Sequence, residues 1–234
     1  MANISNKAQK MPASAIRKLV PFADAAKKQG VKVYHLNLGQ PDIKSPACAL
    51  EAIKNYSKEN ISYSHSAGLM ELRQGLVEKY YKNIGIDITV DELIVTVAGS
   101  ESVNLALEIA CDPGDEVLVL EPFYTNYNTF AFMNELTLKA IPTDIRKGFQ
   151  IPDIEEFEKA ITPKTKAILI CNPGNPTGTQ YSKESMLALG EIARKNDLFL
   201  LSDEVYREFC YTDEPHFSAM NIPGLEQNVI LIDS

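Results

Sequence analysis

One stretch of eight residues, 171–178, constrains the fold of this chain more than any other. It reads Cys-Asn-Pro-Gly-Asn-Pro-Thr-Gly and lies between an apolar run at 167–170 and a helical pattern at 183–195. Because prolines fix φ and lack an amide donor, while glycines permit positive φ, this stretch continues neither a strand nor a helix. We therefore predict a rigid, bent loop at the carboxyl end of a buried strand, which is where ligands bind in open α/β sheets.

A second stretch, 202–206, has the same setting. It follows an apolar run at 198–201 and reads Ser-Asp-Glu-Val-Tyr. Asp203 and Tyr206, an acid and a phenol three residues apart, leave a strand end and can face one point. A helix cap is the alternative role for Asp203.

Composition excludes several classes of function. The chain has 234 residues, of which 45% are hydrophobic and 23% charged, and a net charge of -8 without a basic block, which argues against nucleic acid as a partner. No apolar run approaches the roughly 18 residues of a membrane span. Four scattered cysteines predict free thiols in a reducing cytoplasm, and three histidines show no metal-ligand spacing.

Short apolar runs alternate with helical patterns from residue 93 onward. Predicted strands are 93–97, 116–120, 136–141, 166–170, 198–201 and 229–232, and predicted helices are 101–110, 124–133, 153–160 and 183–195. Continuous runs of Val, Ile and Leu indicate strands covered on both faces, and hence an α/β fold with a mostly parallel, doubly wound sheet. The change of rhythm predicts an N-terminal arm and small-domain segment at 1–90 and a large domain at 91–234.

The N-terminal part contains fewer signals. Residues 1–13 predict a loose arm, and Ser14 predicts the start of a helix to Gln29 that Pro21 kinks or divides. An extended segment at 31–38 and helices at 46–58 and 69–83 follow.

Together, NPGNPTG and SDEVY resemble the motifs of the class I/II aminotransferases, the fold-type I enzymes that use pyridoxal phosphate (PLP). The resemblance runs from about Leu36 to the last residue and covers the first, larger part of the usual family chain. It implies the PLP fold-type I large domain with the C-terminal domain missing. It also implies a homodimer that acts on an amino acid and a 2-oxo acid.

A Gly-Ser turn before a predicted helix resembles the phosphate-binding cup of that family. It consists of Gly99, Ser100 and the Glu101 amide, at a helix start whose free N–H groups and dipole favour an anion. Ordinary helix capping explains the serine equally well. We expect the Glu101 carboxylate to point away from the phosphate, folded back onto the first turn.

The resemblance assigns the remaining cofactor contacts. Tyr124 matches an aromatic that lies flat against the pyridine ring, although a packed surface aromatic is the alternative. Asn175 and Tyr206 can donate to the phenolate oxygen of the cofactor. Asp203 matches the carboxylate that keeps the pyridine nitrogen protonated, because a nearby negative charge favours the cation.

The resemblance also implies roles for two residues in the N-terminal part of the chain. Gly39, in a Gly-Gln-Pro-Asp turn, and Asn175 match substrate-binding positions, and Gly39 has a plain turn glycine as its alternative. Tyr63 matches a tyrosine that reaches the cofactor phosphate of the neighbouring subunit; by itself it is an ordinary loop tyrosine.

The function implied is amino-group transfer by an aspartate-specific or broad-specificity transaminase. A PLP-dependent lyase or synthase on the same fold, and a non-catalytic effector-binding module, are the alternatives. The Schiff-base lysine of the family is expected just beyond Ser234, so no catalytic residue is assigned within the chain, and the 234 residues alone are expected to be inactive. The family's carboxylate-binding arginine lies in the C-terminal part.

Overall fold

A five-stranded, all-parallel sheet forms the centre of the part of the chain that the computed structural model describes, which is residues 2–12, 14, 17–37, 39–57 and 59–234. Its strand order is β2-β1-β3-β4-β5. The strands are β1 (Glu116–Glu121), β2 (Thr137–Pro142), β3 (Thr165–Cys171), β4 (Phe199–Asp203) and β5 (Val229–Ile232).

Helices connect and flank these strands. They are α1 (Asn6–Lys10), α2 (Val20–Lys28), α3 (Ala47–Lys54), α4 (Met70–Lys79), α5 (Gly99–Ala110), α6 (Tyr127–Met133), α7 (Ile154–Ala160) and α8 (Lys183–Lys195). Short 3-10 turns lie at Arg17–Leu19, Tyr81–Ile84, Val90–Glu92, Ile145–Lys147 and Ala219–Asn221.

Both faces of the sheet are buried, as the continuous apolar runs predicted. Along β1, Leu118 and Leu120 join the core that contains α8, whereas Val117 and Val119 join the core that contains α5 and α6. Successive side chains of a strand point to opposite faces, so a run without polar positions requires a cover on each side. The predicted α/β class and parallel sheet are confirmed.

The predicted strand at 93–97 is wrong. This segment has no strand pairing, and its side chains at Ile94 and Val97 are exposed. Among the described residues, its amides make one hydrogen bond to another backbone group, from Val95 N to Ala67 O at 3.0 Å. Apolar residues alone do not make a strand, because a strand also needs a neighbouring backbone with which to pair.

The N-terminal predictions are met in part. Ser14 caps the turn at Arg17–Leu19, and Pro21 lies in the first turn of α2, so the predicted helix is divided there. Residues 15 and 16 of that helix, Leu38 and Lys58 lie outside the described residues. The described residues of 31–37 form no strand, and α3 ends at Lys54, before the predicted end.

The chain forms two compact units, residues 1–12 with 67–234 and residues 13–66. The division into 1–90 and 91–234 remains a prediction. Within the described residues, no helix has the length and apolar character that crossing a membrane requires.

Candidate functional site

The carboxyl ends of three neighbouring strands bring the two sequence motifs together. β1, β3 and β4 are adjacent, and Cys171 at the end of β3 is in register with Asp203 at the end of β4. Since the strands are parallel, the loops that follow them emerge at one edge of the sheet. There they border a cavity of about 340 Å³. Its lining is Ala98, Gly99, Ser100, Val103, Tyr124, Phe130, Cys171, Asn175, Asp203, Val205, Tyr206, Phe209 and Ser234.

Asp203 is the buried acid of this cavity, with 6% of its surface exposed. Its Oδ2 accepts a hydrogen bond of 2.6 Å from the Tyr127 hydroxyl, and its Oδ1 accepts one of 3.4 Å from the Val205 amide. Burial raises the pKa of the Asp203 carboxyl, and these two bonds oppose the rise. Among the described lining residues there is no Lys, Arg or His to pair with this carboxylate.

The loop after β3 is held by its own backbone and by β4. The Asn172 amide donates to Asp203 O, and its Oδ1 accepts from the Tyr181 amide. Gly174 donates to Thr179 O at 2.8 Å, and a Cβ at Gly174 would meet Thr177 Oγ1 at 2.7 Å. The predicted bent loop therefore has a glycine where no side chain fits.

Asn175 and Tyr206 meet at the cavity wall. The Asn175 Nδ2 donates to the Tyr206 hydroxyl oxygen at 3.3 Å. This leaves the second amide hydrogen of Asn175 and the hydroxyl hydrogen of Tyr206 as donors from neighbouring positions. Burial raises the pKa of Tyr206, so its hydroxyl stays protonated near neutral pH.

An aromatic cluster after β1 positions Tyr124. The Tyr124 ring meets Tyr127 edge to face, with centroids 5.5 Å apart and planes at 87°, and Phe123 stacks on Tyr127 at 6.3 Å. The Tyr124 hydroxyl accepts a 2.7 Å bond from Asn126 Nδ2. Tyr124 is thus held at both its ring and its hydroxyl while lining the cavity.

The N-terminus of α5 forms another wall. Among the described residues, the Gly99 and Ser100 amides have no hydrogen-bond partner, whereas the Glu101 amide donates to Ala98 O at 3.0 Å. The Glu101 carboxylate folds back to accept a 2.5 Å bond from the Val97 amide and is absent from the cavity lining, in line with the expectation for this acid. A Cβ at Gly99 would lie 3.5 Å from both Val205 Cγ1 and Ser234 Cβ.

Most of the predicted site residues lie in the unit formed by residues 1–12 and 67–234. Besides Gly99, those that line the cavity are Ser100, Tyr124, Asn175, Asp203 and Tyr206. Gly39 and Tyr63 belong to the other compact unit. Tyr63 is fully exposed, and no atom of the described residues outside the adjoining positions lies within 4 Å of a Cβ placed on Gly39.

Sequence reasoning missed two residues at this site. Tyr127 bonds to Asp203, and Cys171 lines the cavity as a thiol whose pKa is raised to about 12, chiefly by burial. Nothing in the sequence separates Tyr127 from a packing tyrosine, because it lies in the apolar pattern that forms α6. For Cys171 the signal was its place at the strand end, beside the motif.

Comparison with known proteins supports the two motifs. The sequence profile of the family Aminotransferase class I and II matches residues 31–233. An aspartate/prephenate aminotransferase of Thermus thermophilus is 36% identical over 219 residues, which are 93% of this chain and 56% of that protein. An aspartate aminotransferase of Thermotoga maritima is 34% identical over 90% of this chain and 56% of that protein.

The fold agrees with these relatives. A solved structure of a Thermus thermophilus aspartate aminotransferase double mutant matches with a TM-score of 0.91 and 34% identity, over 100% of this chain and 60% of that one. The chain therefore spans between 56% and 60% of the length of these relatives. The resemblance that the sequence motifs predicted is confirmed.

Proposed function

Since this chain belongs to the class I and II aminotransferase family, we propose that its cavity binds PLP, the cofactor of that family. The protein would then transfer an amino group between an amino acid, aspartate or a broader range, and a 2-oxo acid. The main support is Asp203. A buried carboxylate with no cation among the described lining residues suits a ligand that carries its own positive charge, such as a protonated pyridine nitrogen.

The α5 end fits the phosphate of the cofactor. The amides of Gly99 and Ser100, which have no partner in the described part of the chain, begin a helix of 12 residues whose dipole favours an anion. The missing side chain of Gly99 leaves room beside Val205 and Ser234. The Glu101 amide is engaged with Ala98 O, so its assignment to the phosphate requires that bond to be shared or exchanged.

The Asn175–Tyr206 pair fits the oxygen on the cofactor ring. Two donors from adjacent positions suit an oxygen that carries negative charge. In addition, Tyr124 offers an aromatic face to a flat ring, and its hydroxyl bond to Asn126 keeps it from rotating away.

When bound, PLP supplies a conjugated ring that accepts electrons from the substrate α-carbon. Asp203 would hold a proton on the ring nitrogen, and this raises the electron demand of the ring. The Tyr206 and Asn175 donors would stabilise negative charge at the opposite side of the ring. The buried floor at Asp203 and Cys171 would exclude water from that nitrogen, which strengthens each of these interactions.

The remaining assignments complete this proposal. Gly39 would lie against the substrate carboxylate together with Asn175. Tyr63 from a second copy of the chain would reach the phosphate, which makes the active unit a homodimer. No described lining residue is a lysine, so the covalent lysine is assigned outside this lining. The four free cysteines agree with a cytoplasmic location.

The test is a coupled assay of the full-length protein with PLP, aspartate and 2-oxoglutarate. We expect glutamate and oxaloacetate in equal amounts. In a second assay with cysteine, whose thiol is a β leaving group, release of sulfide, ammonia and pyruvate without transfer would instead establish a lyase. Absence of both turnover and PLP binding would refute the proposal and favour a module that binds another effector.

A further inference from the structure

One buried hydroxyl group donates a hydrogen bond to Asp203, the acid that we propose contacts the cofactor. Tyr127, at the start of α6, is 1% exposed, and its hydroxyl donates to Asp203 Oδ2 at 2.6 Å. Tyr127 is absent from the lining of the 340 Å³ cavity, so its hydroxyl would act on a ligand there through Asp203 and not by direct contact. No role was assigned to it from the sequence.

The position of this hydroxyl is fixed by packing. The Tyr127 ring stacks on Phe123 and meets Tyr124 edge to face, and it belongs to the core formed with Val119 and Leu169. A ring held on several sides has little freedom to swing its oxygen away from Asp203.

The direction of the hydrogen bond is also fixed. Burial, and next the charge of Asp203, raise the pKa of Tyr127 well above its ordinary value, so the phenol stays protonated and donates. The carboxylate then has one donor on each oxygen, Tyr127 on Oδ2 and the Val205 amide on Oδ1. Two donors define the carboxylate plane, and each oxygen retains a lone pair for a ligand.

We propose that Tyr127 is a positioning residue for the proposed reaction, which orients Asp203 and keeps it ionised so that it can hold a protonated ring nitrogen. This inference rests on the proposed function. A hydrogen bond to the charged form of an acid favours that form, and here it opposes the cost of burial.

The other groups around Asp203 do not replace this effect. Burial raises its pKa most, and the negative charges of Asp233 and Glu204 raise it further. Cys171 and Tyr206 have pKa values that burial, and after it neighbouring charge, raises, so both are neutral near pH 7 and add no charge beside Asp203. The nearby cation Arg207 lies between Glu204 and Asp233, at 3.5 and 3.3 Å from their oxygens, and counters those two acids.

Removal of the hydroxyl should therefore shift Asp203 toward its protonated form. A protonated acid cannot neutralise a ring cation, so affinity for PLP should be lost at the acid end of the pH range. We expect the acid limb of the affinity profile of Tyr127→Phe to move up by about one pH unit, which corresponds to about tenfold weaker binding below that limb.

The matched control is Tyr81→Phe. Tyr81 is also buried, at 4% exposed, and its hydroxyl donates to an aspartate, Asp233, at 2.9 Å. Neither of these two residues lines the 340 Å³ cavity. This variant loses a bond of the same kind at an aspartate outside the cavity lining, so it reports the cost to stability without removing a hydrogen bond from Asp203.

The experiment measures PLP affinity against pH by equilibrium dialysis for the full-length wild type and both variants. The NMR shift of an isotope-labelled ring nitrogen is recorded for each bound form. The inference requires an upward shift of the acid limb and a less protonated ring nitrogen for Tyr127→Phe alone. A fluorinated tyrosine at 127 keeps the packing and strengthens the donor, so it should move the limb down, even if Tyr127→Phe folds poorly.

Coincident profiles and nitrogen shifts for wild type and Tyr127→Phe would overturn the inference and leave the proposed function intact. A wild type that does not bind PLP at any pH would overturn both. Equal shifts in Tyr127→Phe and Tyr81→Phe would show a general loss of packing and would also overturn the inference.

Discussion

Replacing Asp203 by Asn removes the charge of the cavity acid and nearly preserves its shape. A carboxylate and a cation about 4 Å apart attract each other by about 1 kcal/mol in water and by about 4 kcal/mol at the effective dielectric constant of about 20 that describes protein sites. Asp203 is 6% exposed, so the second value applies. Each 1.4 kcal/mol corresponds to about tenfold in rate, and the expected loss is therefore roughly a thousandfold.

The assay is single-turnover transamination of the full-length protein at saturating PLP, so that rate and cofactor binding are separated. Asp213→Asn is the control, because it makes the same change at an exposed aspartate. In Asp203→Asn the affinity for PLP should fall with the lost charge, and the phosphate and ring-oxygen contacts should keep the cofactor bound at saturating concentration. A loss of rate below about tenfold would refute the role of Asp203 as the partner of the ring nitrogen.

For the protein without cofactor, we expect Asp203→Asn to preserve or raise thermal stability, although it lowers the reaction rate of the protein with cofactor. Burial raises the Asp203 pKa in the folded state, so the folded chain binds more protons than the unfolded chain between the two pKa values. Stability is therefore lost as pH rises through this interval, and the ionised acid remains a cost above it. At neutral pH, Asp203→Asn should melt at or above the wild-type temperature, and the difference should vanish in acid. A lower melting temperature at neutral pH would contradict this sign.

Three further predictions concern packing, covalent chemistry and assembly. Gly190→Ala should destabilise the protein by about 1–3 kcal/mol in thermal denaturation, because its Cβ would lie 2.6 Å from Ile222 Cγ2. Gly75→Ala should stabilise the protein by about 0.5–1 kcal/mol, because no atom of the described residues beyond its own helix backbone lies within 4 Å of the added Cβ. Equal effects of the two substitutions would contradict the packing. Borohydride reduction of the 234-residue polypeptide with PLP should give no stoichiometric pyridoxyl-lysine, and one labelled lysine together with turnover would show that the lysine assignment is wrong. The active full-length protein should sediment as a dimer, and Tyr63→Phe should weaken phosphate binding; a fully active monomer would contradict the role proposed for Tyr63.

The sequence was sufficient for the parts of the fold that depend on local pattern. Runs without polar residues predicted β1, β3 and β4, because strands covered on both faces cannot carry polar side chains without a cost. The segment at 93–97 is similarly rich in Leu, Ile and Val but does not form a strand. Pairing depends on which backbone lies alongside, and composition does not contain that information.

The site shows the same division. The loop with Asn175 and the strand end with Asp203 were predicted because their residue types are poorly suited to regular structure or to a buried position. Their proximity follows from the strand order β1-β3-β4, which the motifs alone do not give. Tyr127 was missed because a tyrosine in a helical apolar pattern ordinarily serves packing, and only the 2.6 Å distance to Asp203 distinguishes it.

The most direct test of this account is a crystal structure of the full-length protein with PLP bound. We expect the phosphate to accept hydrogen bonds from the Gly99 and Ser100 amides, the ring to lie against Tyr124, and the ring nitrogen to contact Asp203. A cofactor bound in this cavity with its nitrogen turned away from Asp203, or bound elsewhere on the protein, would contradict the account.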